Sequence, residues 1–192
     1  RSYIDVLLPA VVPDSSEFQL TVAPRYYDYQ AIVDWKAGRH RVRTYYLGSG
    51  DALKFAFAKP VDGQPLIRDF IENTVSFTRG YAEWDWRISD KVTHSMSAAV
   101  GYNEFKVQIG PELYFDNQFY IVTVRDDLEL KVSPNLILRT GMDFESIFGE
   151  IDIRLPLPPK EGGNRGRSLS SRELVSVNED FQLTNPALWT EA

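Results

Sequence analysis

The sequence predicts an all-β fold, an antiparallel up-and-down meander of about eight long strands forming part of a transmembrane β-barrel that takes in residues 1–192. Three observations lead there. In "YDYQAIVDWKAGRHRVRTYY" (27–46), Tyr27, Tyr29, Ala31, Val33 and Trp35 alternate with Asp28, Gln30, Asp34 and Lys36, the period-2 pattern of a two-faced strand. Short breaks at "AGRH" (37–40), "SDK" (89–91) and "SPN" (133–135) alternate with long polar or Gly/Pro-rich ones near 9–16, 48–73, 104–117 and 156–178. Tight turns at one end and long loops at the other are the habit of an outer-membrane meander. Finally, extended segments are expected at about 1–8, 17–36, 40–57, 74–88, 92–104, 118–132, 136–153 and from about 180 onward. Several of them are longer than the five or six residues of an average soluble strand.

The short turns fix which residues face each other, and the resulting pairs make chemical sense. With "SPN" as a three-residue loop, Val132 stands opposite Leu136, Leu130 opposite Leu138 and Leu128 opposite Thr140, while Glu129 meets Arg139 and Arg125 meets Asp143. With "SDK" treated alike, Ile88 faces Val92, Trp84 faces Met96 and Ala82 faces Ala98. Glu83, Asp85 and Arg87 then look across at Ser97, Ser95 and Thr93. In the first hairpin Asp34 falls beside Arg41 or Arg43. One face is apolar and the other dense with charge, which assigns Asp28, Asp34, Arg41, Arg43, Glu83, Asp85, Arg87, Arg125, Asp127, Glu129, Arg139 and Asp143 to a wet lumen. Trp35, Trp84 and Trp86 sit just before short turns on the apolar face and are expected to form an interfacial girdle, with Tyr27 and Tyr29 as a second belt nearer the other end. Asp126 is the misfit, since the register puts it on the lipid side. A bulge, or a position outside the hydrocarbon, would accommodate it.

Composition narrows the partners. A net charge of -6 argues against nucleic acid, because binding phosphates requires clustered Lys and Arg. Cysteine is absent, which excludes disulfides and thiol chemistry. "YIDVLLPAVVP" is too short for a transmembrane helix and carries Asp5, Pro9 and Pro13, although a barrel strand shows lipid only every second side chain. The chain starts at Arg1 without an export signal and is read as a piece of a longer protein.

Other chemistry is weaker. His40 and His94 lack ligand-spaced partners, so no metal is expected and no cofactor is implied. "EGGNRGR" (161–167) lacks the Lys-Ser/Thr ending of a phosphate loop. "SSRE" (170–173) offers a capping box for a short helix running into Leu174 and Val175. Asp90, His94 and Ser95 are close in sequence, but His94 and Ser95 point to opposite faces of one strand, so nucleophilic catalysis, and with it an enzyme, is not expected. Tyr26, Tyr27 and Tyr29 could stack a sugar, a role weighed against the second belt.

"RSYIDVLLPAVVP", "TVAPRYYDYQAIVDWKAGRHRVRTYYLGSGDALKF", "IDIRLPLPPKEG" and "LTNPALWTEA" together resemble the barrel of TonB-dependent outer-membrane receptors over nearly the whole chain. The resemblance implies a bacterial outer-membrane location, a larger barrel around a plug domain, and energised uptake of a scarce small molecule such as a metal chelate, cofactor or glycan. The partners it implies are outer-membrane lipid and, in the full-length protein, the plug and the TonB complex. Two alternatives from other classes are a soluble or secreted β-sandwich binding module and an outer-membrane barrel of another family. The sequence reading also expects an open sheet with two free edges rather than a small closed barrel.

Overall fold

A computed structural model describes residues 18–57, 65–157 and 172–192. Within them lie seven strands and no helix: β1 (Phe18–Ala37), β2 (His40–Phe57), β3 (Phe70–Arg87), β4 (Val92–Ile109), β5 (Leu113–Ser133), β6 (Leu136–Pro156) and β7 (Leu174–Glu191). They form one antiparallel sheet in the order β1 to β7, so every neighbour in space is a neighbour in sequence. Among the described residues β1 pairs only with β2 and β7 only with β6, which leaves the sheet open. The expected segment at 1–8 lies outside the described residues. No helix is long and apolar enough to cross a membrane, which says nothing of strands.

The three short turns gather at one end, and their backbones touch. Arg87 N–H donates to Arg39 O (2.9 Å) and Lys131 N–H to Lys91 O (2.8 Å). Each turn has its own local cause. Gly38 has φ +58° at the first of two turn positions, the left-handed backbone that a primed hairpin turn demands and glycine adopts at no steric cost. Ser89 Oγ accepts from the N–H groups of Lys91 and Val92 (3.2 and 3.1 Å), and Ser133 Oγ from Asn135 N–H (3.3 Å), the backbone-mimicking bonds that make serine a turn residue.

Two expected pairs give way. The β3–β4 ladder ends at Arg87 opposite Thr93, leaving Ile88 in the turn rather than paired with Val92. Ser133, not Val132, stands opposite Leu136, and a bulge between Lys131 and Ser133 absorbs the extra residue. The bulge restores the expected register above it, so Leu130 still faces Leu138 and Arg125 still faces Asp143.

The loop end differs more from expectation. β3 begins at Phe70 instead of 74, β4 continues to Ile109 and β5 starts at Leu113. The expected long loop at 104–117 is therefore mostly strand, closed by three residues around Gly110. There φ is +59° and Gly110 N–H donates to Phe70 O (2.7 Å). Leu174 and Val175 belong to β7, not to a helix, so the capping box fails where it is described, while Ser170 lies outside the described residues.

Burial is that of a single layer. Leu113, 1% exposed, is the one buried hydrophobic side chain among the described residues, and Ser146 the one buried polar one. Large apolar groups stay open along the whole sheet, Val33, Trp35, Val100 and Leu183 among them. No second sheet or helix covers either face within the described residues.

Candidate functional site

Strand pleating sends alternate side chains to opposite faces, and the registers fix which residues share one. Trp35, Trp84 and Trp86 lie on one face, called here the tryptophan face, together with Tyr27 and Tyr29. Asp28, Asp34, Arg41, Arg43, Glu83, Asp85, Arg87, Arg125, Asp127, Glu129, Arg139 and Asp143 all lie on the other, the arginine face.

At the turn end the arginine face is an ion-pair lattice running across the strands. Asp34 takes two hydrogen bonds from Arg41, Nε at 3.0 Å and Nη2 at 2.6 Å. Arg43 pairs with Glu83 and reaches Asp85 at 3.8 Å. Glu83 also accepts from Tyr81 (2.9 Å), and Asp85 from Ser95 (2.8 Å). Arg125 bridges Asp127 (2.8 Å) and Asp143 (3.6 Å), and Glu129 holds Arg139 (3.1 Å) and Lys131 (3.9 Å). Trp189, unnoticed in the sequence, lies on this face with the Arg125 guanidinium 5.3 Å from its ring. Asp28 sits higher, opposite Ser49 and apart from the lattice. Arg87 stands opposite Thr93, outside the salt bridges. Such pairs are individually weak where solvent reaches them. Their number marks a surface that holds charge and water.

The tryptophan face carries a band bounded by two aromatic rows. Near the turns, Trp84 and Trp86 stack on each other (centroids 5.9 Å apart) and His40 stacks on both (5.8 and 5.7 Å). Toward the loops a second row crosses the sheet. Tyr29 tilts against Tyr46 (5.4 Å), Tyr102 against Tyr120 (5.0 Å), and Tyr120 stacks on Phe148 (5.5 Å). Gly48 makes room for this row, because a Cβ there would collide with the Tyr29 ring, whose hydroxyl bonds Thr78 Oγ1 at 2.6 Å. Between the rows lie Val33, Ala82, Ala98, Val100, Val122, Val124 and Phe144. On β5 the upper row stands at Tyr120 and the lower row reaches Leu128, level with His94 and Trp86, eight residues away. At about 3.4 Å per residue, the band measures roughly 27 Å along the strand.

Above the Tyr102–Tyr120–Phe148 row the faces exchange character. The tryptophan face turns polar, with Lys106 bridging Glu104 (2.7 Å) and Asp116 (3.3 Å) and Lys54 bound to Glu72 (2.7 Å). The arginine face turns apolar, with Val75, Phe77, Phe105, Val107, Phe115, Phe119, Ile151 and Ile153. This crossover was not anticipated.

Asp126 keeps its place on the tryptophan face without a bulge, between Met96 and Met142. Its Oδ2 lies 2.8 Å from His94 Nε2, and Trp84 presents its edge to the same imidazole (5.8 Å). Ser95 faces the other way, bonded to Asp85, so it makes no triad with His94. Among the described residues no group of three His, Cys, Asp or Glu could hold a metal ion. No protein family, curated protein or solved structure matches the chain.

Proposed function

We propose that the chain is a wall segment of an outer-membrane β-barrel, with the tryptophan face against lipid and the arginine face lining an aqueous lumen. The observation that carries this reading is the uncovered apolar band between two aromatic rows, backed by a charged face in a sheet only one layer thick among the described residues. In water such a band would remain exposed with no second layer to hide it. In a bilayer, at the tilt of about 35–45° usual for barrel strands, the band would stand roughly 20 Å tall with its rows of Trp and Tyr toward the headgroups, and the inner strands would satisfy one another's backbone while further strands of the barrel cover the edges of β1 and β7. The turn end then faces the periplasm, and the strands project outward beyond the Tyr row.

Within that class, the stretches from "RSYID" to "NPALWTEA" favour a TonB-dependent receptor, which would take up a scarce ligand around a plug held by the charged lumen. The test begins with insertion. Refolded from urea in the presence of phosphatidylcholine vesicles, the protein is expected to float with them and to resist carbonate extraction. A sandwich module would instead remain in the aqueous fraction, monodisperse without detergent. For the receptor class, ligand uptake by the full-length protein should stop when the proton-motive force is dissipated, whereas unaffected uptake would point to a passive barrel.

A further inference from the structure

Between its two aromatic rows the tryptophan face bears three titratable side chains, His40, His94 and Asp126, and all three fall in one cluster with Trp84 and Trp86. Both histidines of the chain are there. Trp84 Nε1 donates to His40 Nδ1 (3.2 Å), Trp84 meets His94 edge-on, and His94 Nε2 lies 2.8 Å from Asp126 Oδ2. The other carboxylate oxygen of Asp126 and the indole N–H of Trp86 have no protein partner among the described residues, and the Asp126 side chain is 34% exposed. An open acceptor, an open donor and stacked indole and imidazole faces thus share the turn-end margin of the band, with His94 paired to Trp86 across one ladder and bonded to Asp126 across the next.

We propose that this cluster binds the phosphoethanolamine headgroup of phosphatidylethanolamine. The inference rests on the membrane reading above. The ammonium of that headgroup has three N–H donors. One can bond Asp126 Oδ1, and the positive charge can lie against the indole faces, where the ring quadrupole attracts it. The adjacent phosphate accepts from Trp86 Nε1–H. His94 acts as a positioning residue, because its bond to Oδ2 fixes the carboxylate with Oδ1 outward. Phosphatidylglycerol lacks the cation and brings an anion to Asp126. The trimethylammonium of phosphatidylcholine has charge but no N–H to donate. The cluster also explains how a carboxylate is tolerated on an apolar face, since each of its oxygens has a partner once the lipid is bound.

Native mass spectrometry of the full-length protein, extracted from its membrane in detergent and titrated with single lipids, tests this. Phosphatidylethanolamine should be retained at least tenfold more tightly than phosphatidylcholine or phosphatidylglycerol, and Asp126→Asn should erase the preference. Folding of the variant is checked by heat-modifiable migration on gels. A second measurement needs no variant: mono- and dimethylated phosphatidylethanolamine should bind the wild type progressively more weakly as N–H donors are removed. Equal retention of the three lipids, a preference that survives Asp126→Asn, or indifference to methylation would each overturn the proposal. A protein that is membrane-embedded but shows no preference refutes the headgroup site alone. A protein that stays soluble without detergent refutes the membrane reading and the site with it.

Discussion

Val124 and Thr123 are neighbours in the chain, yet the proposed topology gives them different solvents. Val124 stands between Ala98 and Phe144 in the middle of the band, while Thr123 lies on the arginine face beside Ala99 and Glu145. Arginine at mid-bilayer costs about 2–4 kcal/mol, because lipid offers the guanidinium no partner. Val124→Arg should therefore lower stability by that amount in guanidinium titrations of vesicle-inserted protein. Thr123→Arg, with Glu145 in reach, should stay within about 0.5 kcal/mol of wild type. Equal losses would mean that the tryptophan face does not meet lipid. Residue-level reading of the sequence worked where a short turn set the register. Glu129 opposite Arg139 and Trp84 opposite Met96 could be written down from turn length and period alone. It stopped at Asp126, visible as an anomaly but without its partner. Joining it to His94 needs the β4–β5 register, which depends on the turn around Gly110 that was read as part of a long loop.

At the scale of the element, the strands run to 18–21 residues, about twice the 9–11 needed to span a bilayer. Their loop-side halves stand clear of lipid under the proposed topology. The crossover explains why these halves escaped the sequence reading. In "NEFKVQI" (103–109) the alternation continues without a break, but with its phase inverted: Glu104 and Lys106 occupy the face that Val100 and Tyr102 keep apolar below them. A reader expecting one oily face takes the inversion for a loop. Because the chain has no cysteine, single cysteines can map the boundary. Asp116→Cys, on the tryptophan face above the Tyr row, should react with a membrane-impermeant maleimide in vesicle-inserted protein. Val122→Cys, just below that row on the same face, should stay unreacted until detergent is added. Labelling of both at similar rates would place the lipid boundary elsewhere.

At the scale of the molecule, the lack of a core among the described residues decides the physics. A seven-stranded sheet at about 4.8 Å per strand is roughly 30 Å wide. With almost nothing buried, stability in water would have to come from backbone pairing and cross-strand contacts alone, which is marginal without a hydrophobic face covered by something. The ladder edges of β1 and β7, unpaired among the described residues, add a second demand for partners. The open edges were legible in the sequence, but the lack of a covering layer was not. Periodicity reveals that a strand has two faces, but not whether another layer of the same chain covers one of them.

The exchange of polarity between the faces also works as a draught mark. Apart from Asp126 in its cluster with His94, the acidic and basic side chains of the tryptophan face on β4 to β6 lie above the Tyr row, with Glu104 and Lys106 on β4, Asp116 on β5, and Glu150 and Asp152 on β6. Under the proposed topology the sheet cannot settle deeper without drowning them. Nor can it rise without lifting Trp84 and Trp86 out of the headgroups. A bilayer thicker than the band must therefore thin locally around the protein, at a fraction of a kcal/mol for each ångström of mismatch. Folding yields measured in phosphatidylcholines of increasing acyl length should be highest in the short-chain lipids and fall steadily as the hydrocarbon outgrows the band. A yield independent of chain length would mean that nothing pins the sheet at a fixed depth. With yields that fall as expected, sorting between thin and thick membranes follows from where the faces trade places, with no targeting contact required.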